Sequence, residues 1–384
     1  MKIAIVNNDD FSVLHFRKEL ILTLISLGHE VTVIVPVGKY NKGLLDLGVS
    51  VININVSRFI AIFSDLIYTI HLYKIFVKND FDIVHNMTIK PNIFGSVSAR
   101  FAKVNRIVSL VAGIGYIFSD HTTVRMRIVR ELVIVLYRFA FSFNDKVWFQ
   151  NQDDINDFVS LKILSRSKAL LIKSSGVNMD KYNIDIIGKN NLDLLRKELR
   201  VPSDFKCVVM VAARMIRSKG VNEFLSSATL LSRKYHDWCF IMLTPREDTP
   251  DSVPQEFIDQ HISSNIIVID KFRDDSINFL AIADVVVLPS YYREGVPRTL
   301  LEAMSLSKPI ITTSERGCKE VVVDGVNGYK IQSKSTDELA IKIELLINSR
   351  KDRVEFGKES RNIVGKYYRS SIIIDRVISE LYDL

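Results

Sequence analysis

Val285–Ile311 reads VVVLPSYYREGVPRTLLEAMSLSKPII. Val285–Leu288 is an unbroken aliphatic run of the kind that forms a short strand covered on both faces, and Pro289 and Ser290 end it. Polar residues with Gly295 and Pro297 form a loop, and an amphipathic helix begins near Arg298. A buried strand passing through a loop into a helix is the repeating unit of a parallel α/β sheet, where ligands meet the C-terminal strand ends. Glu294 falls in the loop, and Glu302 follows eight residues later inside the helix. The helix start offers free backbone N–H groups and a positive dipole end, which suit a phosphate-bearing ligand. Two carboxylates beside it suit sugar hydroxyls.

The same alternation extends in both directions. Upstream come strand Cys207–Ala212, helix Val221–Tyr235, strands Trp238–Leu243 and Ile266–Val268, and helix Asp275–Ile282; downstream comes strand Pro309–Thr312. The stretch ARMIRSKGVNEF after the first of these places Arg214 and Lys219 five residues apart on a strand-to-helix loop. A planar guanidinium fork and a compact ammonium together neutralise a diphosphate well. Taken alone they are ordinary surface cations; taken with the Glu294 loop they mark a site. Helices Thr336–Asn348, Lys351–Lys366 and Ser371–Tyr382 show helical periodicity and no chemistry.

The first half repeats the rhythm with strand Lys2–Val6, helix Phe16–Leu27 and strands Glu30–Pro36, Val51–Val56, Phe81–His85, Arg106–Val111 and Ala169–Lys173. No G-x-G-x-x-G opens a helix after the first strand, so a dinucleotide-binding reading lacks its main support. The chain therefore reads as two Rossmann-like domains, 1–173 and 201–365, joined by a polar linker at 174–200 and followed by a C-terminal helix at 366–384 that packs back on the first domain.

Hydrophobic residues at 47% and charged residues at 25% supply a globular chain with a core in each half. The three scattered cysteines show neither metal spacing nor a disulfide framework and point to a reducing cytoplasm. MKIAIVNNDD at the start reads as a strand and not as a signal peptide. Residues 1–200 hold 26 Lys and Arg against 18 Asp and Glu, a net +8, while residues 201–384 hold 25 against 26. A basic half suits nucleic acid, an anionic membrane or a phosphorylated substrate. Nucleic acid is the weakest of these, because no recognition motif accompanies the charge.

Two apolar segments, Arg58–Lys78 and Arg125–Phe143, are interrupted by too many charges to span a bilayer. The first reads as a helix that covers the sheet and keeps a narrow solvent stripe. In the second, Arg125, Arg127 and Arg130 are interleaved with apolar residues and fit a helix lying on anionic headgroups equally well. The pairs Asp9–Asp10, Asp153–Asp154 and Asp274–Asp275 read as turn or cap residues rather than metal ligands.

The second half resembles the retaining glycosyltransferases of the GT-B fold, in the large family-four group. The motifs are R-x4-K-G at Arg214–Gly220, LPSYYREGVP at Leu288–Pro297, the Glu294 to Glu302 spacing, LEAM at Leu301–Met304, G-C-x-E at Gly317–Glu320 and DGVNG at Asp324–Gly328. The first half is similar more loosely, through HFR at His15–Arg17, GHEVTVIVP at Gly28–Pro36, TIKPNIFGS at Thr88–Ser96, the glycine turn Gly113–Tyr116 and SGVN at Ser175–Asn178. These elements look most like bacterial enzymes that add Gal or GalNAc to a sugar on undecaprenyl diphosphate.

The resemblance implies two parallel sheets facing a central cleft, a UDP-sugar donor, a polyprenyl-diphosphate-linked saccharide acceptor, no metal cofactor, and a place on the cytoplasmic face of the inner membrane. It puts Glu294 beside the anomeric centre, Arg214 and Lys219 on the leaving diphosphate, Glu302 on the ribose, and Gly295, Thr299 and Leu300 near the phosphates. Arg17, His85 and Lys90 are its acceptor-side candidates, and His85, Thr88 or Lys90 stands near the donor sugar. Asn7–Asp10 stand where relatives often carry Gly-Gly, which leaves that diphosphate contact open. Two alternatives stand beside this reading: a sugar-nucleotide 2-epimerase of the same architecture, and a catalytically silent partner docked on the membrane.

Overall fold

The computed structural model describes residues 1–57, 61–114, 118 and 124–384. The side chain of Arg125 and part of the glycine turn Gly113–Tyr116 lie outside the described residues. The chain divides into two units, Met1–Ser175 with Ser370–Leu384, and Gly176–Arg369.

The first unit is built on strands β1 (Lys2–Val6), β2 (Glu30–Val35), β3 (Ser50–Asn53), β4 (Ile83–Met87), β5 (Arg106–Val111), β6 (Lys146–Phe149) and β7 (Ala169–Leu171). They pair in parallel in the order β3-β2-β1-β4-β5-β6-β7, with Ile3 of β1 opposite Val31 on one side and Ile83 on the other. Helices α1 (Asp10–Ser26), α2 (Ile62–Asn79) and α3 (Val124–Ser142) follow β1, β3 and β5. The first of these begins six residues earlier than the periodicity predicts. Asp9 explains the difference, since its extended backbone and its carboxylate, accepting from the Ser12 N–H at 2.6 Å, cap the helix there.

The second unit is built on β8 (Lys206–Val211), β9 (Trp238–Leu243), β10 (Ile266–Ile269), β11 (Val285–Leu288), β12 (Ile310–Thr313) and β13 (Gly328–Ile331), in the parallel order β10-β9-β8-β11-β12-β13. Helices α4 (Val221–Ser232), α5 (Arg298–Ser305) and α6 (Arg350–Tyr367) cover it. In both sheets the strand order turns back beside the first strand, so that β1 lies between β2 and β4, and β8 between β9 and β11. Such a switch point opens a crevice at the C-terminal strand ends. The Arg214–Gly220 loop leaves β8 and the Pro289–Pro297 loop leaves β11, the two strands that flank the switch.

Two expectations change. The segment 174–200 is not a free linker: Val177, Tyr182 and Leu195 are buried in the core of the second unit, and the Val177 N–H donates to the Tyr368 carbonyl at 2.9 Å. Its polar composition conceals three apolar anchors. Helix α2 is not narrow-striped: it buries Tyr68, Leu72 and Phe76 but leaves Ile62, Phe63, Leu66, Ile67, Ile70 and Val77 exposed. Strands β6 and β13 had no expectation, because four residues carry too little pattern to separate a strand from a loop.

The chain returns to the first unit at Ser370. Helix α7 (Ser370–Arg376) and the turn after it bury Ile373, Ile374, Val377, Leu381 and Tyr382 in the same cluster as Ile3, Ile5 and Trp148. Arg106 Nε donates to the Leu381 carbonyl at 2.9 Å and Arg376 to the Leu171 carbonyl at 3.1 Å. No helix among the described residues is long and apolar enough to cross a membrane.

Candidate active site

Two loops of the second unit meet at the switch point. Gly220 holds the first one close: at φ +80 its Cα faces the Pro289 carbonyl, and a side chain there would lie within 2.7 Å of the Pro289 carbonyl carbon. The Tyr291 N–H donates to the Ser218 carbonyl at 2.8 Å, which ties the two backbones together. Gly317 does the same from the loop after β12, at φ +74, where a Cβ would sit 2.8 Å from the Glu294 carbonyl oxygen and closer still to Gly295.

This clamp sets the charged groups. Lys219 is buried, and its ammonium donates to Glu294 Oε2 at 2.5 Å. The Ser290 hydroxyl donates to Glu294 Oε1 at 2.8 Å, so both carboxylate oxygens have fixed partners. Arg214 lies over the Tyr292 ring at 4.7 Å and Lys219 at 5.5 Å, placing two cations around one aromatic face. Burial alone pulls the Arg214 guanidinium down, but the hydrogen bond with the Tyr292 side chain and the Glu247 and Glu294 carboxylates outweigh it and hold the group above its usual range. Cys318 lies at the back, where burial and then Glu294 push its thiol up to about 12, leaving it protonated and inert.

Glu302 is held apart from this cluster, one turn into α5. Arg298 Nε donates to its Oε1 at 3.0 Å, and the Tyr182 hydroxyl donates to the same oxygen at 2.7 Å. Burial, then the Glu302 charge, pushes the Tyr182 phenol up, so it stays a donor. Gly295 is buried in the turn before the helix; Thr299 is half-buried and Leu300 buried in its first turn. The structure thus gathers Arg214, Lys219 and Glu294 directly and carries Glu302, Thr299 and Leu300 on the adjoining helix.

The first-unit candidates fare differently. His85 is 0% exposed, with Nδ1 2.7 Å from the Tyr382 hydroxyl and its ring beside Trp148. Burial, then Arg17, holds its pKa well below the usual imidazole range, so it is a neutral residue of the core, and its Nε2 has no hydrogen-bond partner among the described residues. Arg17 packs its guanidinium over Trp148 at 5.3 Å and is also buried. Both lie in the core of the first unit, and a polar residue on the inner face of a strand or helix looks the same in sequence whether it meets ligand or core. Lys90 is held by Asp65 at 2.5 Å and by the Ser57 hydroxyl at 2.7 Å. Beside it Thr88 has φ +73, an unusual conformation for a β-branched residue, at the end of β4 next to the switch point.

The acidic pairs take structural roles: Asp10 accepts from the Tyr40 N–H at 2.6 Å, Asp154 from Asn151 at 2.9 Å, and Asp275 from Arg273 at 2.8 Å. Among the described residues no three His, Cys, Asp or Glu side chains group to hold a metal ion. Tyr182, Ser290, Tyr292 and Arg298 were missed. Only Arg298 had a local signal, four residues ahead of Glu302 on one helical face.

Residues 193–363 match the family described as Glycosyl transferases group 1, and residues 2–151 match Glycosyl transferase 4-like. The chain is 31% identical over 384 residues to the N,N'-diacetylbacillosaminyl-diphospho-undecaprenol alpha-1,3-N-acetylgalactosaminyltransferase of Campylobacter jejuni, covering 100% of this chain and 98% of the relative. It belongs to the group 1 glycosyltransferases. The same glycosyltransferase is 26% identical over 329 residues to the UDP-Gal:alpha-D-GlcNAc-diphosphoundecaprenol alpha-1,3-galactosyltransferase of Escherichia coli, covering 85% of this chain and 81% of that one. Its fold is that of HepE from Anabaena, solved with UDP and glucose, at a TM-score of 0.81, 17% identity and full coverage of both chains. This glycosyltransferase therefore has the GT-B fold, with two Rossmann-like domains.

Proposed function

We propose that this glycosyltransferase moves a hexose or N-acetylhexosamine, Gal or GalNAc foremost, from a UDP-sugar to a saccharide carried on undecaprenyl diphosphate, with retention and hence an α linkage. What carries the reading is the Lys219–Glu294 pair beside Arg214 at the ends of β8 and β11. The full-length similarity to a transferase named for a diphospho-undecaprenol acceptor supports the acceptor class.

In this reading Arg214 and Lys219 stabilise the diphosphate as it departs, Arg214 through its fork and Lys219 as a point charge. Glu294, oriented by Ser290, sits at the donor sugar, and Glu302, braced by Arg298 and Tyr182, keeps its second oxygen for the ribose. The α5 start, with the Thr299 and Leu300 N–H groups behind Gly295, receives the phosphates. Fixed cations and a helix end do the work that a metal does elsewhere. Lys90, at the β4 end, remains the acceptor-side candidate.

The protein acts at the cytoplasmic face of the inner membrane. Helices α2 and α3 support this: α3 exposes Val124, Ile128, Leu132, Val135 and Phe139 along one face, with Arg127 exposed beside them.

The test is to incubate purified protein and a membrane fraction with labelled UDP-Gal, UDP-GalNAc or UDP-GlcNAc and to count label in organic-extractable lipid. One of the first two donors labels the lipid, and Glu294→Gln lowers the rate by on the order of a hundredfold or more. Epimerised free nucleotide in place of labelled lipid refutes transfer; no product with any donor leaves the silent partner.

A further inference from the structure

The N-terminal ends of β8, β11 and β12, opposite the ends that carry Arg214 and Glu294, border a cavity of about 680 Å³ that α6 closes from the side. Lys206 lines it at the start of β8 and Lys308 just ahead of β12. Arg350, Arg353, Lys358 and Arg361 line it from successive turns of α6. Asp284 is the one carboxylate in this wall, and its Oδ2 already accepts from the Cys207 N–H at 2.9 Å. The neighbouring Glu355 pairs instead with Lys351, which is not part of the wall.

The cations are oriented without being neutralised. Arg353 donates to the Leu346 and Ile347 carbonyls at 2.5 and 2.9 Å and stacks on Trp238 at 5.1 Å. Arg361 donates to the Ser305 carbonyl and, at 3.4 Å, to that of Tyr182. Lys308 donates to the Ala281 carbonyl at 2.7 Å. Carbonyls fix direction but carry no net charge, so the mutual repulsion of the group stands. Burial pushes the Lys308 ammonium down to about 8, although Asp284 and Cys207 pull the other way. Lys206, Arg350 and Lys358 are exposed and form no ion pair among the described residues.

A concave wall of six cations and one engaged carboxylate, half of it pre-oriented by backbone, is built for an anion of high charge. We propose that this hollow is a second anion site, separate from the donor site, that takes a compact ligand bearing two or more phosphate groups. A free diphosphate and a phosphorylated lipid headgroup share that chemistry.

Titration calorimetry of the full chain with inorganic pyrophosphate tests it, with flotation on vesicles of phosphatidylcholine and cardiolipin, whose headgroup carries two phosphates, as the second arm. The discriminating protein is Lys206→Glu/Arg350→Glu/Lys358→Glu, whose altered side chains are exposed and leave the core intact, checked by circular dichroism. Pyrophosphate binds the full chain in two events: one weakens at least about tenfold in the triple variant and persists in Arg214→Ala, while Arg214→Ala weakens the other, which assigns a free anion to the hollow. Vesicle binding lost in the triple variant, without pyrophosphate binding, assigns a headgroup. If neither probe binds, or if Arg214→Ala abolishes pyrophosphate binding while the triple variant keeps it, the second site does not exist.

Discussion

Glu294 owes the position of its loop to two glycines, while Lys219 and Ser290 fix its carboxylate. Gly220 and Gly317 let two backbones approach the Pro289–Pro297 loop from opposite sides, and both adopt positive φ. Gly317→Ala adds a Cβ against the Gly295 and Glu294 carbonyls and strains the backbone as well, which costs roughly 1–3 kcal/mol and displaces the carboxylate. Turnover falls by on the order of a hundredfold, because small misplacement of a catalytic group is that costly. Steady-state rates beside a thermal melt check this, and a variant with wild-type turnover would show that the clamp does not position the acid. Arg214, Lys219 and Glu294 were legible in sequence because each belongs to a short motif on a single loop, whereas Ser290 and Tyr292, on the same loop as Glu294, were not singled out. Tyr182 was not, since it reaches Glu302 across 120 residues of chain. The burial of His85 was not legible either, because a strand-end histidine carries no local mark of it.

At the scale of elements, strand and helix identity followed from period and punctuation, and the face each helix turns to water did not. In α2 the buried positions Tyr68, Leu72 and Phe76 are matched by an equally apolar outer face, so the sequence shows no contrast between the two. Such a face on an otherwise polar surface marks an interaction site. Paired with Lys74 and Lys78 on α2 and Arg127 on α3, it fits an anionic bilayer surface. Flotation with phosphatidylglycerol vesicles should recover the wild type at low salt and release it as salt rises, since each basic residue near the surface contributes about 1 kcal/mol that screening removes. Phe63→Ser/Leu66→Ser/Ile67→Ser removes binding at every salt concentration, while Arg127→Glu weakens it mainly at low salt. Equal recovery of all three proteins excludes α2 and α3 as the contact.

For the whole molecule, each unit has its own sheet and core, but the chain does not build them in sequence order. The first unit is finished only by the last 15 residues, Ser370–Leu384. Helical periodicity in that tail announces that it packs, and the buried cluster shows against which unit. Ile373, Ile374, Val377, Leu381 and Tyr382 are buried there, each worth about 1.5–3 kcal/mol of transfer, a sum comparable to the stability of a whole domain. Ending the chain at Arg369 should therefore unfold the first unit and spare the second. The two tryptophans divide the signal, because Trp148 lies in the first core, where its indole N–H donates to the Ile172 carbonyl at 2.7 Å, and Trp238 lies in the second. In a Trp238→Phe background the truncated chain emits as solvent-exposed indole at 25 °C; in a Trp148→Phe background it keeps a buried emission and a cooperative melt. A truncated protein in which Trp148 stays buried and melts at the full-length temperature would mean that the tail rests on a unit already complete without it.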